Sequence, residues 1–228
     1  MNMSSAAFSR LLQLASPALP IGAYSYSQGF EWAIESGDVK DKDSAEAWIS
    51  AVLETYYAQF ELPLLKRLYA AWQQADLQKL QQWDAIYKAG RDSAETWAES
   101  RQMGYSLLRL QNELSTWSST HEQLLQQLVE PSFPTVYAAC ADNWQISLQE
   151  MLHVYAWSWL ENQVSASMKA VPLGQVAGQK ILMNVSERIP NLIQQAIACE
   201  DDDMSNFCPS LTSASCKHET QYSRLFRS

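Results

Sequence analysis

Between Gly37 and Gly90 the chain contains no glycine, and this stretch carries the repeat that most limits its folding options. Trp48, Val52 and Tyr56 stand four residues apart, and Ile49, Leu53 and Tyr57 repeat the row one step on. Two adjacent i,i+4 rows make a wide apolar stripe on a helix. Hardly any segment alternates with period two, so strands have no foothold and the fold class is all-α. Pro63, Pro131, Pro134, Pro172 and Pro190 punctuate the pattern, because proline ends a helix or opens the next one. The spacing predicts helices over 3–15, 25–36, 44–60, 62–75, 77–88, 93–114, 120–128, 134–142, 147–169, 173–187 and 190–198. An acid or serine followed by Glu three residues later is a capping-box signal. It occurs at Asp43/Glu46, Asp92/Glu95, Ser119/Glu122 and Ser147/Glu150, each ahead of a helical pattern. The expectation is a single-domain helical bundle of about ten helices over residues 1–199.

Two segments fall outside the helical pattern. Residues 200–217 are acidic, then rich in Ser and Thr, and read as a mobile loop. Residues 218–228, HETQYSRLFRS, regain aromatic and basic character and read as a C-terminal docking tail of the same domain. In that tail Tyr222 and Phe226 are four apart and would share one face of a short helix. Arg224 and Arg227 offer forked donors, and Leu225 adds apolar surface.

Charge narrows the partners. With 16 basic and 25 acidic residues among 228, the formal charge is −9, which argues against nucleic acid and against anionic lipid. No run reaches the roughly 18 apolar residues of a membrane span. The first segment has a short apolar run broken by Arg10 and reads as no export signal, so a cytoplasmic location is expected. Cys140, Cys199, Cys208 and Cys216 follow no disulfide framework and are expected as free thiols. Nine Trp and ten Tyr are many for this length, and such residues favour interfaces.

Chemistry-bearing patterns are sparse. His121, His153 and His218 fit no nucleophile, zincin or Cys–His arrangement, so no catalytic residue is assigned. Cys208, Cys216 and His218 match no standard zinc spacing, and no metal ligand or cofactor site is assigned either. Glu200–Asp203 lacks the spacing that puts carboxylates on one helix face. A helical metal-dependent lyase or transferase using that run and His218 is the rival enzymatic reading, and an unrelated helical adaptor is another. GQVAGQK, residues 174–180, is no phosphate loop, since its glycine gap is wrong and Ile181 follows the lysine. Gly174 and Gly178, with Gln175 and Gln179, instead make a smooth strip suited to close helix packing, within the chain or between subunits.

The stretch SPALPIGAYSYSQGFE, residues 16–31, combines prolines, glycines and aromatics. Pro17 and Pro20 stiffen it, Gly22 permits a turn, and Tyr24 and Tyr26 present rings with polar tips. With Ser25 and Gln28, it reads as a shape held against another surface.

Four segments in order carry a resemblance: LLQLASPALPIGAYSYSQGFE, ESRQMGYSLLRL, WLENQVSASMKAVPLGQVAGQKIL and HETQYSRLFRS. Together they resemble the urease accessory UreF family over nearly the whole chain. The family's pattern often has His where this chain has Gln28, and Arg near Trp97. The resemblance implies an all-α homodimer without enzymatic chemistry. It implies partnership with the accessory protein UreD (also called UreH), the GTPase UreG and apo-urease during nickel insertion. The partner surface expected here comprises Pro20, Gly22, Tyr24, Ser25, Tyr26 and Gln28 with Tyr222, Arg224, Leu225, Phe226 and Arg227. The tail is expected to be loose until UreD binds, with Arg224 then near Tyr24 or Tyr26.

Overall fold

A computed structural model describes residues 4–114 and 117–228. Its α-helices are α1 (Ser5–Ala15), α2 (Phe30–Glu35), α3 (Lys42–Val52), α4 (Leu62–Gln73), α5 (Leu77–Ala89), α6 (Ala94–Leu114), α7 (Ser119–Leu125), α8 (Phe133–Asn143), α9 (Leu148–Ala170), α10 (Gln175–Ser186), α11 (Ile189–Ala198) and α12 (Pro209–His218). No strand occurs among the described residues. The all-α expectation therefore holds, and most helix spans agree to within a few residues; the expected start at Met3 lies outside the described residues.

The axis of the fold is α9. Its 23 residues rise about 34 Å at 1.5 Å each. Leu152, Tyr155, Trp159, Asn162, Val164 and Ser167 are all buried, so the helix is enclosed on nearly every side. Helices α1, α2, α3, α4, α10 and α11 pack around it, while α8 joins α4 to α6. The caps follow local chemistry at shifted addresses. Ser147 and Glu150 form the expected reciprocal box, but α3 is capped by Asp41 with Ser44, and α7 by Ser118. At α6, Ser93 and Thr96 exchange the two bonds. The α3 and α7 caps lie two residues and one residue before the expected ones, and the α6 cap lies one residue after, in each case where a side chain reaches the free N–H groups.

Three segments depart from expectation. First, the chain does not break at Pro63. A nine-residue π-helix, Leu53–Glu61, joins α3 to α4. Pro63 has no N–H to offer the Gln59 carbonyl, and that carbonyl accepts from Ser205 N–H instead at 3.1 Å. The wider winding turns Tyr56, Tyr57, Phe60 and Glu61 inward together, and such segments recur at functional sites. Second, 25–36 is not one helix. Ala23–Ser25 is a 3-10 turn, Gln28 and Gly29 both take left-handed φ of 55° and 78°, and α2 follows. Third, 200–217 is not loop throughout, because Asp201–Asp203 makes a 3-10 turn and Pro209–His218 is helix. The period of α12 is present in Leu211, Ala214, Ser215 and His218. Its inward residues are small or polar, so no apolar stripe announces it. A Cβ on Gly29 would lie 2.8 Å from the Ser215 nitrogen and 3.1 Å from the Ala214 Cβ. Small residues on both sides let the two backbones meet.

Candidate functional site

The tail lies along the stretch from Ser25 to Glu31 and is tied to it mainly through its backbone. Glu31 is 6% exposed and acts as the clasp. Its Oε1 accepts from Leu225 N–H at 2.6 Å, and its Oε2 accepts from Phe226 N–H at 3.0 Å. Arg227 N–H donates to the Ser25 carbonyl at 2.8 Å. The Ser228 carbonyl accepts from Ser27 Oγ–H at 2.7 Å and from Gln28 N–H at 2.9 Å. Tyr26, whose own carbonyl is held by Asn162 Nδ2 at 3.0 Å, sits beneath.

His218 locks the base of this strap. It is fully buried, with Nε2 3.2 Å from Glu31 Oε2 and Nδ1 2.7 Å from Glu95 Oε2. Two carboxylates facing two ring nitrogens are both satisfied when both nitrogens donate. Glu95 also pairs with Arg224. Glu219, just past α12, accepts from the Ala94 and Glu95 N–H groups at the start of α6, at 2.7 and 3.3 Å, where a carboxylate is favoured.

Beneath the strap lies a polar layer centred on Gln28. Its Nε2 donates to Glu99 Oε1 at 2.7 Å, and its Oε1 accepts from Trp159 Nε1 at 2.7 Å. A neutral imidazole offers the same one donor and one acceptor, so the His common in the UreF pattern could fill this place. Ser228 Oγ–H donates to Glu99 Oε2 at 3.0 Å, joining strap to interior. Deeper still, Glu61 accepts from Tyr155 Oη–H at 3.0 Å and pairs with Arg91 Nη1 at 3.1 Å. The Arg91 guanidinium lies over the Tyr87 ring, 4.1 Å from its centroid. Burial pushes the Glu61 carboxyl up to about 8 and the Glu99 carboxyl up to about 7. It lowers Arg91 to about 10. Burial, then the charge of Glu161, raises Tyr24 to about 12.

The sequence-derived residues therefore separate into layers. Pro20 and Gly22 are exposed, with Gly22 at φ 83°. Tyr24 and Ser25 are half-buried, whereas Tyr26 is buried. The residues of 219–228 form no helix, so Tyr222 and Phe226 share no face: Tyr222 is fully exposed and Phe226 is buried. Arg224 pairs with Glu95, and Arg227 is the arginine beside Tyr26. The tail also has its contacts within the single chain, where looseness was expected.

On α10, Gly174, Gln175 and Gln179 face outward, but Gly178 does not. A Cβ there would meet Met168 Sδ at 2.5 Å, so Gly178 serves the packing of α10 on α9. Cys208, Cys216 and His218 are not brought together. Cys208 Sγ contacts Thr55, Cys216 Sγ contacts the Asp92 carbonyl, and His218 faces Glu31 and Glu95. Asp201 of the acidic run is taken by Arg67, whose Nε donates to it at 2.6 Å. All four cysteines are unpaired, and no helix among the described residues is long and apolar enough to cross a membrane.

Sequence reasoning missed Glu31, Glu61, Arg91, Glu95 and Glu99. Glu31, Glu61 and Glu99 read as ordinary surface charges in or beside a helical pattern, Glu95 reads as a capping-box acid, and Arg91 falls between two expected helices. The one available signal was position: Glu99 and Glu95 are on the same turn side of α6 at i,i+4, opposite Trp97.

The UreF family model matches residues 39–186. The chain belongs to the UreF family. Over 219 residues, covering 96% of both chains, it is 61% identical to the urease accessory protein UreF of Methylobacillus flagellatus. It is 48% identical to UreF of an Azoarcus species over 221 residues, 96% of this chain and 94% of the other. Against UreF of Dechloromonas aromatica it is 44% identical over 220 residues, 96% of each. As a UreF-family urease accessory protein, it carries the strap and the polar layer in one continuous fold.

Proposed function

We propose that this chain is a non-catalytic scaffold of urease maturation that works in the cytoplasm as a homodimer. It bridges UreD and the GTPase UreG on apo-urease, coupling GTP hydrolysis to nickel insertion. The observation that carries this reading is the division of labour along the strap. Main-chain bonds and the buried Phe226 hold it down, while Tyr222 and Leu225, 104% and 72% exposed, project into solvent without any intrachain role. Exposed aromatic and aliphatic side chains on a pinned backbone lose little entropy on binding. Arg224 and Arg227 flank them as bidentate donors, and the rigid Pro20–Tyr26 turn borders the same surface.

On α10, Gln175, Val176, Gln179 and Met183 line an exposed strip that we assign to the second protomer. The test is co-purification of the full chain with UreD and UreG. Tyr222→Ala with Leu225→Ala should lose UreG while keeping the wild-type unfolding midpoint. Normal recovery of UreG would overturn the strap's role.

A further inference from the structure

Unpartnered donors collect in one cavity of about 100 Å³ between the π-helix, α6, α8 and α9. Arg91, Tyr137 and Ser158 all line it. The Arg91 side chain is 9% exposed and uses Nη1 on Glu61, yet its Nε and Nη2 have no partner. The Tyr137 hydroxyl, on a residue 1% exposed, has none, nor has Ser158 Oγ. The carboxyls of the same wall are already occupied. Glu61 takes Arg91, Tyr56 and Tyr155, and Glu99 takes Gln28 and Ser228.

The cavity thus has hydrogens to give and too few acceptors to receive them. Each buried group left unbonded costs about 1–3 kcal/mol, so an occupant rich in acceptors is favoured. The Nε–Nη2 edge presents two parallel N–H groups, the match for a planar two-oxygen anion. A water needs about 10–15 Å³ on this measure. The space of about 100 Å³ therefore holds about seven to ten waters, or a small anion together with several waters. Glu61, Glu99 and Asp92 in the same wall oppose a second negative charge.

We propose that this cavity binds a small planar monoanion of the carboxylate class, formate- to acetate-sized. Arg91 Nε and Nη2 grip its two oxygens, and the Tyr137 and Ser158 hydroxyls complete the contacts. Met103 and Phe133 make part of the wall apolar, which lowers the local dielectric and strengthens the grip.

The experiment is thermal unfolding of the full chain in sodium formate or sodium acetate, against sodium chloride at equal ionic strength. The wild-type midpoint should rise with formate or acetate beyond the chloride control and saturate. Tyr137→Phe removes an unpaired hydroxyl without changing the packing, so it should fold and weaken anion binding about tenfold. Arg91→Lys, which loses the fork, should abolish the rise. No rise over chloride would mean a water-filled space and would overturn the proposal. So would an equal rise in wild type and Tyr137→Phe, which alone decides the matter if Arg91→Lys does not fold.

Discussion

Replacing Glu31 by Ala should release the strap. Three donors converge on this one carboxylate: Leu225 N–H at 2.6 Å, Phe226 N–H at 3.0 Å and His218 Nε2 at 3.2 Å. Hydrogen bonds to a charged group contribute about 1.5–3 kcal/mol each, so simple addition gives roughly 4–9 kcal/mol. That sum overstates the loss, because the Leu225 and Phe226 amides regain water once the strap lifts. His218, 0% exposed, does not, and leaving a buried polar group without its partner costs about 1–3 kcal/mol on top of the bonds lost. We expect a loss of about 3–5 kcal/mol, capped by the free energy of opening the strap locally. Glu31→Gln keeps one acceptor oxygen and should lose about half as much.

Urea unfolding measures the global change, and amide hydrogen exchange at Leu225, Phe226 and Arg227 measures the local one. If the strap opens by itself, exchange there accelerates by a factor of a hundred or more while the urea midpoint moves little. If Glu31→Ala left both the urea midpoint and those exchange rates at wild-type values, the clasp would carry no energy and this reasoning would be wrong.

Other outcomes follow from the same geometry. The folded-state carboxyls of Glu61 and Glu99 titrate above their ordinary value of 4.5, at about 8 and about 7. Between those limits the native state binds more protons than the unfolded one, so these two groups make stability fall as pH rises from about 4.5 to 8. Glu61→Gln should flatten that slope in urea titrations run at several pH values, and an unchanged slope would contradict it. Gly178→Leu should destabilise by about 1–3 kcal/mol through overpacking on Met168, as read by thermal unfolding. Val176→Glu with Met183→Glu, both on the exposed strip of α10, should yield monomers by light scattering with the fold intact by circular dichroism. Tyr222→Ala alone should change stability by less than about 0.5 kcal/mol, since the side chain touches nothing in the chain, while weakening UreG recovery.

Helices, their approximate ends and the family were all legible in the amino acids. Apolar period fixes which face of a segment turns inward, and proline and glycine fix where it stops, so α4 to α6 and α8 to α11 could be placed from local pattern alone. The 16–31 stretch and the 218–228 tail were also visible as unusual, the first for its stiffness and the second for its arginines and aromatics.

Three things depended on the folded whole. At the π-helix ahead of Pro63, Ser205, distant in sequence, supplies the Gln59 carbonyl with the N–H that proline lacks. Helix α12 packs closely because Gly29 admits Ala214 and Ser215, a fit that propensity does not encode. The clasp brings together Glu31, Glu95 and His218. Charge on a helix looks the same in sequence whether it faces water or a buried imidazole. Chain-local rules describe one residue's neighbours within a turn or two, whereas burial and ion pairing are set by groups far along the chain. For that reason the amino acids determined the bundle, and tertiary packing decided which of its charges hold the strap.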